Sequence, residues 1–173
     1  IFRRLVQEQR DILGDREQLT YDDLGKMKLL EGTIKEALRL YPPIILMMRK
    51  VLKAFDFQGY HVPENSMILA CPAAAQRIPE IFPEPHRFDP DRYGPGREED
   101  KRHPYGHIAF GAGRHRCMGV VFAQLQLRAL WSHLLRNFEF DLLDTNYPVD
   151  YTNLIVGPRQ PCRIRYRRIA RGG

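Results

Sequence analysis

The chain is poor in cysteine: Cys71, Cys117 and Cys162 are its only three in 173 residues. No second cysteine lies near Cys117 at the spacing that zinc or iron–sulfur sites use, so a cysteine-bound metal cluster fits poorly. Three scattered thiols do not make a disulfide framework, which points to a reducing compartment and makes the cytoplasm the expected location. No apolar run is long enough to span a bilayer, and no signal-peptide pattern is present. A membrane anchor in a further N-terminal part stays open. Internal repeats and low-complexity tracts are also lacking. Acidic residues are the minority, 21 against 27 Lys and Arg, for a net charge of +6. That balance raises nucleic acid as a partner. The basic tail argues against it, because Arg163, Ile164, Arg165, Tyr166 and Arg167 alternate as a strand with one wet face does. With no nucleic-acid-binding module recognisable, no nucleic-acid partner is expected.

What is present suffices for one domain, since 43% of the residues are hydrophobic. Apolar positions from Ile1 through Leu5, Val6, Ile12 and Leu13 predict a helix over 1–13, closed by Gly14-Asp15. Thr20 with Asp23 resembles a capping box. A second periodic run, with Leu29, Leu30, Ile34, Ala37, Leu38 and Leu40, predicts a helix over 29–41 that Pro42-Pro43 stops. Short strands are expected at 44–53, 57–62 and 66–70, the last two joined by Pro63-Glu64-Asn65. Proline, glycine and charge dominate 72–105, which reads as an ordered loop anchored by Phe82, Phe88 and Tyr93. The strongest helical pattern covers 118–136, and strand-like runs follow at 138–143, 151–156 and 162–167.

The most informative stretch is Phe110 to Gly119, FGAGRHRCMG. It sets Cys117 behind a glycine-rich turn and ahead of the helical run, so the sulfur is expected at a helix N-terminus. Unpaired N–H groups and the helix dipole favour an anion there, and a thiolate is the form that binds metal. Gly111 and Gly113 allow a tight backbone that can approach a flat ligand, and Phe110 offers a ring to shield the sulfur. One thiolate with no partner cysteine suits haem.

Phe110, Gly113, His115, Cys117 and Gly119 together resemble the haem-ligand signature FxxGx(H/R)xCxG of the cytochromes P-450. Two further motifs of that family stand upstream in the same order. Glu36 and Arg39 in EALRLYPP resemble its ExxR helix. Pro85 to Phe88, PHRF, resembles its PERF segment, with Arg87 as the arginine. The resemblance implies a mainly α fold with small β-sheets, of which 1–173 is the C-terminal haem-binding portion. In it the ExxR helix spans 29–41, the PERF-like loop 85–88, the haem-ligand loop 110–119, the proximal helix 118–136 and a C-terminal hairpin 147–167. It covers the whole chain but well under half of the usual family protein.

The same resemblance implies a haem-thiolate monooxygenase in which Cys117 is both the metal ligand and the catalytic residue, pushing electron density onto iron to favour O–O cleavage. Cofactor contacts fall to Phe110, Gly111, Gly113, His115 and Arg49, the last two holding haem propionates. On the residues alone, Arg49 reads equally well as a surface cation on a strand. Glu36, Arg39 and Arg87 are expected as a buried structural cluster. The other histidines, His107 among them, read as structural or exposed.

Within the family, ILMMR at Ile45 to Arg49, FQGYHVP at Phe57 to Pro63, RIPEIFPEP at Arg77 to Pro85 and FGAGRHRC resemble the bacterial-type sterol 14α-demethylases. That implies an apolar sterol substrate touched by Leu46, Met47, Met48 and Leu154, residues that otherwise read as strand core. NADPH electrons would arrive through an acidic ferredoxin or flavoprotein reductase facing Arg114 and Arg116. The alternatives are a P-450 hydroxylase of another lipid or secondary metabolite, or a non-enzymatic truncated haem-thiolate binder.

Overall fold

The computed structural model describes residues 1–144 and 146–169. Its helices are α1 (Phe2–Leu13), α2 (Tyr21–Lys26), α3 (Lys28–Leu40), α4 (Pro72–Ala75) and α5 (Val120–Asn137). Its strands are β1 (Met47–Lys50), β2 (Phe55–Phe57), β3 (Tyr60–Val62), β4 (Met67–Ala70), β5 (Phe138–Leu142), β6 (Val149–Asp150), β7 (Gly157–Pro158) and β8 (Ile164–Arg168). The expectation of a mainly α fold with small sheets is met. Among the described residues, no helix is long and apolar enough to cross a membrane.

Helix α1 buries Leu5, Gln9 and Leu13, a stripe at a spacing of four, and ends where Gly14 turns to φ +54. The expected capping box opens α2: the Asp23 N–H donates to Thr20 Oγ1 at 3.3 Å, and the Thr20 N–H donates to Asp23 Oδ2 at 3.1 Å. Helix α3 has Met27 at its N-cap and so lacks a side-chain oxygen of its own there. The carboxylate of Glu8 supplies the cap from α1, accepting from the N–H groups of Leu29 at 2.6 Å and Leu30 at 3.0 Å. Leu5, Leu13, Leu24, Met27, Leu30 and Leu135 close the core between these helices and α5. A buried polar tie crosses it, the Ser132 hydroxyl donating to Gln9 Oε1 at 2.6 Å.

The sheets are antiparallel pairs: β1 with β4, β2 with β3, β5 with β8, and β6 with β7. Two strand expectations are corrected. The run 57–62 is not one strand, because Gln58 at φ +49 and Gly59 at φ +84 make the two-residue hairpin turn between β2 and β3. Nor is 151–156 a strand. It forms the turn between β6 and β7, nucleated by Asp150 Oδ1, which accepts from the Thr152 N–H at 2.9 Å and its hydroxyl at 2.7 Å. The proximal helix begins at Val120 rather than at 118, leaving Met118 and Gly119 in the preceding loop.

The long segment 72–105 is ordered as expected, with 3-10 turns at Pro90–Tyr93 and Glu99–Lys101 packed beside α3. Gly32 makes that packing possible, since a Cβ there would stand 2.6 Å from the Pro90 carbonyl oxygen. An alanine ordinarily favours a helix interior by about 1 kcal/mol over glycine. Here overpacking against backbone costs about 1–3 kcal/mol and outweighs that gain. Thermal unfolding should therefore show Gly32→Ala less stable than wild type, and equal or higher stability would contradict this packing.

Candidate functional site

Helical spacing of three sets Glu36 and Arg39 side by side on α3, both fully buried. Arg39 Nε donates to Glu36 Oε2 at 2.7 Å and Nη2 to Oε1 at 2.8 Å, a bidentate pair. Its remaining donors reach the carbonyls of Gln76, Pro85 and Arg87 at 2.9, 2.7 and 3.2 Å. The second arginine on Glu36 is Arg92, whose Nε donates to Oε1 at 2.9 Å. Arg92 also pairs with buried Glu99 at 2.8 Å and donates to the carbonyls of Pro83, Glu84 and Arg87. The Tyr93 hydroxyl at 2.8 Å and the Asp89 N–H at 2.9 Å complete the shell around Glu36. Burial alone would raise the Glu36 carboxyl, but the hydrogen bonds from Arg39, Asp89, Tyr93 and Arg92 outweigh it and hold it below the usual carboxylate range. Burial and the neighbouring Glu36 charge push the Tyr93 phenol far up, so it stays a donor.

Arg87 is therefore not the cluster's third side chain. It points outward, 64% exposed, and pairs with Glu84 at 3.0 Å, contributing only its carbonyl to the cluster. Sequence reasoning missed Arg92 because Pro90-Asp91-Arg92-Tyr93 repeats the proline–x–arginine–aromatic pattern of Pro85-His86-Arg87-Phe88 shortly downstream. Both runs carry the signal, and only burial chooses between them. Glu99 and its outer partner Arg97 gave no sequence signal beyond charge.

The loop that carries Cys117 closes on itself, the Cys117 N–H donating to the Phe110 carbonyl at 2.8 Å. Gly111, at φ +72, has no room for a Cβ, which would meet the His115 carbonyl oxygen at 3.0 Å. Gly113 is also left-handed, at φ +59. Cys117 ends up free and exposed ahead of α5, with the Val120 N–H reaching its carbonyl at 3.4 Å. Half-buried Phe110 lines, with Leu38, Lys35, His107, Gly111 and Arg116, a cavity of about 560 Å³ between α3, α5 and the loop. Arg114, His115 and Arg116 are exposed.

The remaining predicted contacts are gathered less completely. Arg49 is exposed on β1, and its guanidinium bonds the Met48 carbonyl at 2.8 Å. The C-terminal hairpin does meet the segment after α3, the Val156 N–H donating to the Pro43 carbonyl at 2.8 Å. There Leu46, Ile45, Tyr41, Val149, Tyr151 and Val156 share an apolar cavity of about 230 Å³. Met47 and Met48 follow one another on a strand, so they face opposite sides of the sheet and cannot form one continuous wall with Leu46. Leu154, 75% exposed at the hairpin tip, lies outside that cavity too.

Residues 1–165 match the family model for cytochrome P450. The chain belongs to the cytochrome P450 family. It is 40% identical to a sterol 14alpha-demethylase of Mycolicibacterium vanbaalenii over 98% of its length, covering 38% of that protein. It is 41% identical to a sterol 14-demethylase of Arabidopsis thaliana over 96% of its length, and 41% identical to a lanosterol 14-alpha demethylase of Bos taurus over 93%. Among solved structures it superposes on retinoic acid bound cyanobacterial CYP120A1 with a TM-score of 0.89 and 28% identity, covering 97% of this chain and 38% of that one. The chain thus spans under two-fifths of the length of these relatives.

Haem is the cofactor of the P450 family, and the loop has the features such a group needs. Its cysteine is free and exposed, Gly111 and Gly113 hold left-handed backbone, and a Cβ at Gly111 would crowd the His115 carbonyl oxygen at 3.0 Å. In this P450 the buried cluster makes two opposed predictions. Glu36→Ala leaves buried Arg39 without a counter-charge and should cost about 3–5 kcal/mol in unfolding free energy, whereas exposed Arg87→Ala should change it by under about 0.5 kcal/mol. Acid titration adds a third. A carboxyl held low stabilises the fold fully above the ordinary glutamate value of about 4.3 and loses that contribution as pH falls through its own lower value. Glu36→Gln should flatten this acid limb.

Proposed function

We propose that the chain is the haem-binding part of a sterol 14α-demethylase, a P450 monooxygenase in which Cys117 would ligate the haem iron. The observation that carries the reading is the free, exposed Cys117 on a loop closed by the Phe110 carbonyl, in a chain about 40% identical over nearly its whole length to proteins of that name. The bound haem supplies oxygen activation, with the thiolate as electron donor to iron. The protein's own part is placement. Phe110 and the two left-handed glycines present the sulfur, and the cluster on Glu36 holds the surrounding loops. His115 and Arg49 are exposed side chains whose N–H groups offer donors to propionates. A sterol is received by apolar surface, for which Leu46 in the cavity under the C-terminal hairpin is the best-placed residue, with Met47 or Met48 and Leu154 extending it.

Arg114 and Arg116, exposed and without an ion pair among the described residues, set positive charge beside Cys117, suited to an acidic ferredoxin or flavoprotein that relays electrons from NADPH. A reducing compartment such as the cytoplasm keeps the thiol available.

Two measurements on the whole haem-loaded protein test this reading. Cys117→Ser should abolish the red-shifted Soret band of the reduced carbonyl complex, and a normal band in that variant would remove Cys117 from the role. A 14-methyl sterol should shift the spin state and release formate under turnover. Leu46→Lys should lose the sterol shift while keeping the haem spectrum, because an unpaired cation would be desolvated. No shift and no formate with any 14-methyl sterol would defeat the demethylase reading.

A further inference from the structure

One half-buried imidazole lies between the ion cluster and the loop that carries Cys117. His107 precedes Phe110 on the strand of chain entering the loop, and its Nε2 lies 3.2 Å from the Lys35 carbonyl oxygen on α3. That helical carbonyl has a second lone pair free for such a donor. The ring stands edge-on to Tyr93, with centroids 6.1 Å apart and planes at 86°. Tyr93 is itself fastened to Glu36. The Lys35 ammonium sits 5.4 Å from the centre of the same Tyr93 ring and 2.9 Å from Asp100 Oδ2, so Tyr93, Lys35 and Asp100 frame the imidazole. Burial pushes His107 below its usual range, which keeps it a neutral ring that donates through Nε2.

From His107 the chain passes buried Ile108, whose carbonyl accepts the Gly111 N–H at 2.9 Å, to Phe110, whose carbonyl accepts the Cys117 N–H at 2.8 Å. Among the described residues, His107 makes the polar side-chain tie between this segment and α3. The acceptor that sets the Cys117 backbone is thus carried by a stretch whose height above α3 one histidine controls.

We infer that His107 is a positioning residue for Cys117, acting through Phe110 and linking the Glu36 cluster to the place where the sulfur is presented. The inference rests on the haem-thiolate reading of that cysteine. It goes beyond packing, because slack of about an ångström in a supporting contact is enough to impair a site that depends on fixed geometry.

The test uses the whole haem-loaded protein and three variants. His107→Gln keeps an N–H near the position of Nε2, His107→Phe keeps the ring against Tyr93 without a donor, and His107→Asn keeps a donor too short to reach Lys35. The readouts are the ratio of red-shifted to short-wavelength Soret bands of the reduced carbonyl complex, the reduction potential and the melting temperature. The expected result is a several-fold rise in the short-wavelength form and a displaced potential for His107→Phe and His107→Asn, with His107→Gln close to wild type. If His107→Phe does not fold, the contrast between Asn and Gln decides in the same way. Unchanged band ratio and potential in Asn and Phe, whatever the melting temperature, would overturn the inference and leave His107 as packing alone. A wild-type protein with no red-shifted band would instead overturn the haem-thiolate reading, and this inference with it.

Discussion

The carboxylate of Glu36, buried on α3 between two guanidinium groups, is the constraint on which the region around the loop depends. Desolvating a carboxylate and two arginines is costly, and the cost is offset only if every donor and acceptor is used. Here that demand is met by main chain. Arg39 and Arg92 together take the carbonyls of Gln76, Pro83, Glu84, Pro85 and Arg87, so the turn-rich segment 76–87 folds around the charges. A stretch with little regular secondary structure acquires one conformation because its backbone polar groups have no better partners. The chain of charge continues outward through Glu99 to Arg97, where it reaches solvent, and returns to Asp89.

The Cys117 loop takes its shape from local chemistry. Left-handed glycines and the bond from the Cys117 N–H to the Phe110 carbonyl form a compact turn that leaves the cysteine exposed. What the turn cannot determine is where it stands relative to α3. His107, bonded to the Lys35 carbonyl, and Phe110, which lines the cavity between α3 and α5, bear on that relation. The division of labour suits the proposed chemistry, in which one atom must be held in place while the substrate side is left to more adaptable apolar surface.

Much of this was legible in residues. Periodicity located α1, α3 and α5 to within two positions, since each carries one apolar stripe into a shared core. The capping box at Thr20 and the identity of the exposed cysteine were also readable, because both follow from adjacent residues. The strand readings were less successful. Gln58-Gly59 is a turn inside what looked like a continuous strand, and the apolar run 151–156 proved to be a hairpin tip. Short apolar runs carry no record of whether a partner strand lies beside them, and turn geometry overrode their composition. The two methionines of β1 illustrate the same limit, for adjacency in sequence is opposition across a sheet.

By itself, the sequence determined the helical framework, the family resemblance and Cys117 as the candidate haem ligand, because these reside in local periodicity and in the spacing of a short run around Cys117. Only the tertiary structure decided which arginine meets Glu36. Arg87 and Arg92 sit in nearly equivalent local patterns, and the choice falls to Arg92 because its side chain is enclosed by the carbonyls of 83–87 while that of Arg87 faces water. The tertiary structure likewise decided that Glu99 extends the cluster, that Glu8 caps a helix remote in sequence, and that His107 lies between the cluster and the loop. Each of these is a long-range polar contact, and a buried charge or donor selects its partner by enclosure and distance, which no local pattern encodes.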